Sequence, residues 1–203
     1  MVHTYQLGVK SALEVITPST MKLRKTLHSI RTSKVSRAIF KKYSKTMHEN
    51  GEHEPPCVDC ITRWNSTLIM YQQYSLKLRD VLICTTSDNA IANEFVDHTL
   101  SIEDWSHIQS MEQWLLVPAK ICNYLSGSKY PTLSIAGLAF NNLLAHCNKY
   151  FSMDMNSVDS PSEKITLQVQ QEASTKCLQY LIKYQEFLKS IPSRIAMFVD
   201  PRY

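Results

Sequence analysis

Asp59-Cys60-Ile61-Thr62-Arg63-Trp64-Asn65-Ser66-Thr67 stands just after the Pro55-Pro56 break and at the head of an amphipathic run. A helix start needs only a cap and an apolar stripe, and Asp59 or Thr62 can supply the cap. The Arg63-Trp64 pair is more than that role requires. Guanidinium and indole close to a basic segment are the parts that nucleic-acid sites use, Arg for phosphate or base edges and Trp for stacking on an unpaired base. A core tryptophan beside a salt-bridged arginine is the other reading, and the residues alone leave both open.

Downstream of this cluster, Leu68, Tyr71, Leu78, Val81 and Leu82 recur at helical spacing and predict a helix, followed by turn and capping residues from Thr85 to Asn93. Ser101 and Asp104 form a start signal with acids in the first turn. The helix they open carries Trp105, Ile108, Met111, Leu115 and Leu116, and Trp105 and Trp114 read as core. Ser126-Gly127-Ser128 and Pro131 punctuate the chain, 133–151 predicts a largely buried helix, and 154–160 a loop. Pro161 suits the first turn of a last long helix, whose stripe of Ile165, Val169, Cys177, Leu181, Tyr184 and Leu188 stops near Pro192.

Upstream, Leu7, Ala12, Leu13 and Ile16 predict a short first helix ended by Pro18, with Ser19 or Thr20 capping the next. That next helix is expected to run unbroken through Leu23, Leu27, Ile30, Ala38, Ile39 and Tyr43. Between Met21 and Thr46 lie Lys22, Arg24, Lys25, Arg31, Lys34, Arg37, Lys41, Lys42 and Lys45 with no acid at all. Such a stripe attracts phosphate backbones or anionic lipid. A solvated helix face with its counter-charges elsewhere in the fold is the alternative.

The chain has 203 residues, of which 44% are apolar, enough for one core or two small ones. It has only 4 glycines, far below the average usage of roughly 7%. Tight hairpins and phosphate-cradling loops need that residue, so the composition favours helices over strands. Neither a secretory leader nor an apolar span of ~20 residues is expected from the sequence. The six cysteines stand in mostly apolar contexts and read as reduced thiols rather than a disulfide framework.

His48, His53, Cys57 and Cys60 supply four ligand types that zinc uses, but their order is not that of a standard finger. Loop histidines and buried thiols explain them equally, and no metal site is assigned. Asp59, Asp80, Asp88, Asp97, Asp104 and Asp200 each read as a cap, a turn residue or a surface charge, so no catalytic residues are assigned either. The last stretch, 195–203, loses helical periodicity and reads as a strand whose sheet partners are missing.

The run from Asp59 to Thr67 resembles the D-x-x-T-R-W-N-S-T signature of hAT-superfamily transposases and their BED-finger-bearing, ricesleeper-like and domesticated relatives. Val2-His3-Thr4-Tyr5-Gln6-Leu7-Gly8-Val9-Lys10 is similar to the end of that family's C-x-x-H motif, with His3 in the histidine place, and Arg31, Ser33 and Arg37 to its following basic helix. Trp105, Leu115-Leu116-Val117-Pro118 and the stretch Leu125 to Leu133 resemble its W, L-L-x-P and S-G-x-x-Y-P-T-L elements. Ile195-Ala196 to Asp200-Pro201-Arg202-Tyr203 resembles its D-P-R-Y strand. Cys60 and Ile61 depart from the commoner valine and proline, but both are apolar and leave the helix start intact.

The resemblance implies an all-α, multi-helix insertion domain over residues 1–192, with the loop 48–60 between its subregions. Residues 193–203 would begin the strand that re-enters an RNase H-like core. It also implies that the catalytic Asp, Asp and Glu, which hold divalent metal such as magnesium for strand cleavage, lie outside this sequence. So do the BED zinc finger and the dimerisation region. The chain is then expected to be catalytically inert by itself, free of cofactor, nuclear, and a binder of DNA at transposon ends. The expected DNA-binding residues are Arg63, Trp64, Lys22, Lys25, Arg31, Lys34, Arg37 and Lys41, with Trp64 in the place of a family tryptophan implicated in holding a flipped base. A domesticated interaction scaffold, with apolar faces open to protein partners or to a second copy, is the competing expectation.

Overall fold

Every regular element described is helical, in keeping with the glycine-poor composition. The computed structural model describes residues 2–48, 58–60, 63–125 and 133–183. In chain order the helices are α1 (Val2–Leu13), α2 (Thr17–Thr32), α3 (Lys34–Met47), α4 (Trp64–Gln72), α5 (Arg79–Thr86), α6 (Ile102–Leu125), α7 (Leu133–Phe151) and α8 (Pro161–Ile182). They form two compact units, one built from 16–112 and the other from 1–15 together with 113–203. The strand expected at 195–203 and most of the 48–60 loop lie outside the described residues.

In the 16–112 unit α3 packs on α2 and α5. Its core is made by Leu23, Leu27 and Ile30 of α2, Phe40 of α3, Trp64, Leu68 and Tyr71 of α4, and Trp105, Ile108 and Met111 of α6. Pro18 does not end a helix; it occupies the first turn of α2, where its missing N–H costs nothing. Ser19 and Thr20 are not caps. Both are buried, with Ser19 Oγ donating to Asp104 Oδ1 (2.8 Å) and Thr20 Oγ1 donating to the Ile16 carbonyl (2.9 Å).

The single long basic helix expected from the apolar periodicity is two helices. Ser33 turns extended (φ −82°, ψ 124°), and its hydroxyl accepts from the Ser36 N–H to cap α3. The helix expected from Leu68 to Leu82 is also interrupted. Gln73–Lys77 forms a π-helical turn, closed by Leu78 N–H to the Gln73 carbonyl (3.1 Å), and within it Ser75 donates its hydroxyl to the buried Glu112 carboxylate. The Ser101 start signal behaves as read. Ser101 Oγ accepts from the Asp104 N–H (3.1 Å), and Asp104 Oδ2 accepts from the Ser101 N–H (2.9 Å), a reciprocal capping box.

In the other unit α1 and α7 both pack on α8. Pro118 sits inside α6 and removes the N–H that would bond the Trp114 carbonyl. His146 of α7 replaces it, its Nε2 lying 3.0 Å from that carbonyl oxygen. The Trp114 indole N–H donates to Ser174 Oγ of α8 (2.9 Å), and Tyr5 of α1 donates to the Pro118 carbonyl (2.7 Å). A helix that would otherwise be weakened at its proline is thereby tied to three neighbours. Pro161 stands in the first turn of α8, and Trp105 and Trp114 are buried, as the sequence indicates.

Candidate nucleic-acid interface

The Asp59 to Thr67 signature folds into a clasp at the entrance of α4. Asp59 is not a helix cap; the cap position belongs to Arg63, which makes no side-chain capping bond. The Asp59 carboxylate is instead fully enclosed and meets Arg24 of α2 through paired hydrogen bonds, Arg24 Nε to Oδ1 at 2.7 Å and Nη2 to Oδ2 at 2.6 Å. Thr67 Oγ1 donates to the same Oδ2. Burial pushes the Asp59 pKa upward, but the bonds from Arg24 and Thr67 and the guanidinium charge outweigh it and hold it below the ordinary carboxylate range.

Ser66 closes the other side of the clasp. Its hydroxyl accepts from the Cys60 N–H (2.9 Å) and lies within bonding distance of the Arg63 (2.6 Å) and Cys60 (3.0 Å) carbonyls. Arg63 N–H also bonds the Cys60 carbonyl at 2.9 Å. Four signature positions are thereby used for local architecture. Trp64 is 5% exposed, so its ring belongs to the core and offers no open face to a base in this conformation. Arg63 projects into solvent, and among the described residues its guanidinium has no partner.

The basic residues of α2 and α3 divide into two sets. Lys22 and Arg24 are answered by buried carboxylates, Lys22 Nζ lying 2.7 Å from Asp104 Oδ2. Burial would raise the Asp104 pKa, yet bonds from Lys22, Ser101 and Ser19 bring it down to about 2. Lys25, Arg31, Lys34, Arg37, Lys42 and Lys45 are exposed and enter no ion pair among the described residues, while Lys41 is half-buried. Arg37 Nη2 donates to the Arg31 carbonyl, bridging the α2–α3 corner. Lys25 lies near His98, whose pKa is lowered first by burial and then by that ammonium.

A family model for the ZBED1 RNase-like helical domain matches residues 1–114, more than half of the chain. The chain belongs to this family. It is a transposase-derived helical region of the hAT/ZBED type, and the match covers the clasp and the whole basic segment. No curated protein and no solved structure matches the chain. Of the four zinc-type residues, His53 and Cys57 lie outside the described residues; among those described, no three His, Cys, Asp or Glu side chains converge as a metal site would require. No described helix is long and apolar enough to cross a membrane.

Sequence reasoning missed Arg24 and Ser66 as partners of the signature. Asp59 and Arg24 are far apart in the chain, and nothing in local spacing announces their pairing. Ser66 and Thr67 bond back to Cys60 and Asp59, contacts that the linear spacing of the motif does not announce.

Proposed function

We propose that this ZBED-type helical region binds DNA through its α2–α3 surface and Arg63, and that it contributes binding, not strand cleavage, to the protein that carries it. One observation supports the reading above the others. An acid-free segment of two helices leaves six cations exposed and outside any ion pair among the described residues, while Lys22 and Arg24 serve buried carboxylates. Charge left unneutralised on one surface creates a field that concentrates polyanions. The transposase-derived family membership makes DNA the polyanion of choice, and the nucleus the expected compartment.

The direct test is fluorescence anisotropy of labelled DNA titrated with the purified chain at low salt. Saturable binding with Kd on the order of 1–100 μM or tighter is the expected result for a backbone-driven contact. An unchanged anisotropy through that range, with the protein folded by circular dichroism, would overturn the proposal. Binding that instead persists undiminished at high salt would favour the interaction-scaffold reading, since apolar docking lacks that sensitivity.

A further inference from the structure

The basic residues of α3 are not scattered over its surface. Lys34, Arg37, Lys41 and Lys45 follow one another at intervals of three and four, which places them within an arc of about 80° on a helix of 3.6 residues per turn. Ser36, Phe40 and Ser44, all fully buried, occupy an adjacent face centred about 100° away. Lys34 and Lys45 lie about 16 Å apart along the axis at 1.5 Å per residue, with Arg37 between them and Lys42 on the flank. The acids nearest the inner side of α3 are engaged by hydroxyls. Ser36 Oγ donates to Glu94 Oε2 (3.1 Å) and Tyr43 OH to Asp88 Oδ2 (2.9 Å).

Among the described residues the ridge carries no aromatic platform. Ala38 lies among the cations, Tyr43 is held at the side by Asp88, and Trp64 is buried. Single strands and unpaired bases are held chiefly by stacking on exposed aromatic rings, whereas a duplex is held by its phosphates. A membrane surface is a poorer fit, because Phe40 faces the core and the exposed apolar side chains of α3, Val35 and Met47, stand singly and outside the arc of Lys34, Arg37 and Lys45.

We infer that the α3 ridge, through Lys34, Arg37 and Lys45, is a docking surface for the phosphate backbone of duplex DNA, and that it works without the Arg63-Trp64 motif. The inference rests on the DNA-binding reading above and narrows it, for duplex DNA, to α3 alone without the contribution of Arg63. Arg37 keeps free N–H donors beyond the one it gives to the Arg31 carbonyl. Lys34 and Lys45 are exposed and engaged in no ion pair among the described residues.

The test compares the wild-type chain with the combined Lys34→Gln, Arg37→Gln and Lys45→Gln variant and with Arg63→Gln. Each is measured by anisotropy on a duplex, on a single strand of the same length, and by co-sedimentation with vesicles rich in phosphatidylserine. The expected result is at least a tenfold loss of duplex affinity in the triple variant, with Arg63→Gln within about threefold of wild type. Should the triple variant lose helicity, Lys34→Gln and Lys45→Gln alone are each expected to reduce the salt slope of binding by about 1. Wild-type binding with no loss in these variants overturns the ridge while leaving the DNA reading intact. No wild-type binding to any DNA overturns the DNA reading itself. Tighter binding to single strands, or binding to vesicles alone, overturns the choice of duplex.

Discussion

Arg24 and Asp59, 35 positions apart, are joined by two parallel hydrogen bonds, and the side chain of Asp59 is wholly enclosed. The carboxylate also takes the Thr67 hydroxyl, so a loop and two helices converge on a single charge. Asp59, which on sequence grounds reads as a cap, a turn residue or a surface charge, instead holds the clasp together. Arg63 is displayed from a backbone fixed by Cys60 and Ser66.

Removing one member of this pair strands the other. Asp59→Ala or Arg24→Ala is expected to destabilise the 16–112 unit by about 3 kcal/mol, since breaking an enclosed ion pair costs more than the pair contributes. A urea-unfolding double-mutant cycle checks this: the two single losses should far exceed additivity in the double variant. Additive losses near zero would show that the clasp contributes nothing.

Trp64 gives a prediction that separates packing from base stacking. Trp64→Ala should cost about 3–5 kcal/mol in stability, as for other buried large-to-small changes. Trp64→Phe, which keeps an aromatic body, should cost less and leave duplex affinity within about twofold of wild type. A Trp64→Phe protein of unchanged stability that loses binding selectively on DNA with an unpaired base would instead return the indole to the interface.

The two units should differ in how strongly they respond to mild acid. Burial holds the His146 pKa down to about 4, partly offset by its bond to the Trp114 carbonyl. In the unfolded chain the same imidazole takes up a proton near 6.5. The unfolded state therefore binds more protons between about pH 6.5 and 4, and stability of the unit that holds His146 falls as pH drops through that range. Asp104, lowered to about 2, affects the 16–112 unit only as pH falls below the unfolded carboxylate value of about 3.8, and His98, also held down by burial, adds a smaller loss to that unit in the window of His146. Hydrogen exchange followed by mass spectrometry from pH 7 to 4.5, corrected for intrinsic rates, should show loss of protection in α7 and α8 before α2 and α4. His146→Phe should flatten that dependence, and equal loss in all four helices would contradict it.

Much of the architecture was legible because its signals were local. Ser101 and Asp104 sit three apart and make a capping box; Pro161 occupies a helix start; Trp105 and Trp114 follow an apolar stripe. The errors came where local patterns were silent. Apolar periodicity runs on from Ile30 to Ile39, so the Ser33 cap between α2 and α3 had no glycine or proline to mark it. Pro18 has the same appearance whether it stops one helix or starts another. The π turn at Gln73–Lys77 carries the bond from Ser75 to Glu112, a tertiary contact with no local sign.

The charge of the interface was legible, but its division was not. Lys22 and Arg24 differ from Lys25 and Lys34 only through Asp104 and Asp59, which reach them across the fold. Composition therefore identified a basic segment, while only the packing showed which charges stay available to a partner.

The most direct measurement is the dependence of duplex affinity on salt for the wild-type chain. Neutralisation of three or more phosphates predicts that log K falls linearly with log salt with a slope of about −3 or steeper. A folded protein whose duplex affinity stays flat across roughly 50 to 200 mM salt would contradict the electrostatic interface on which the account rests.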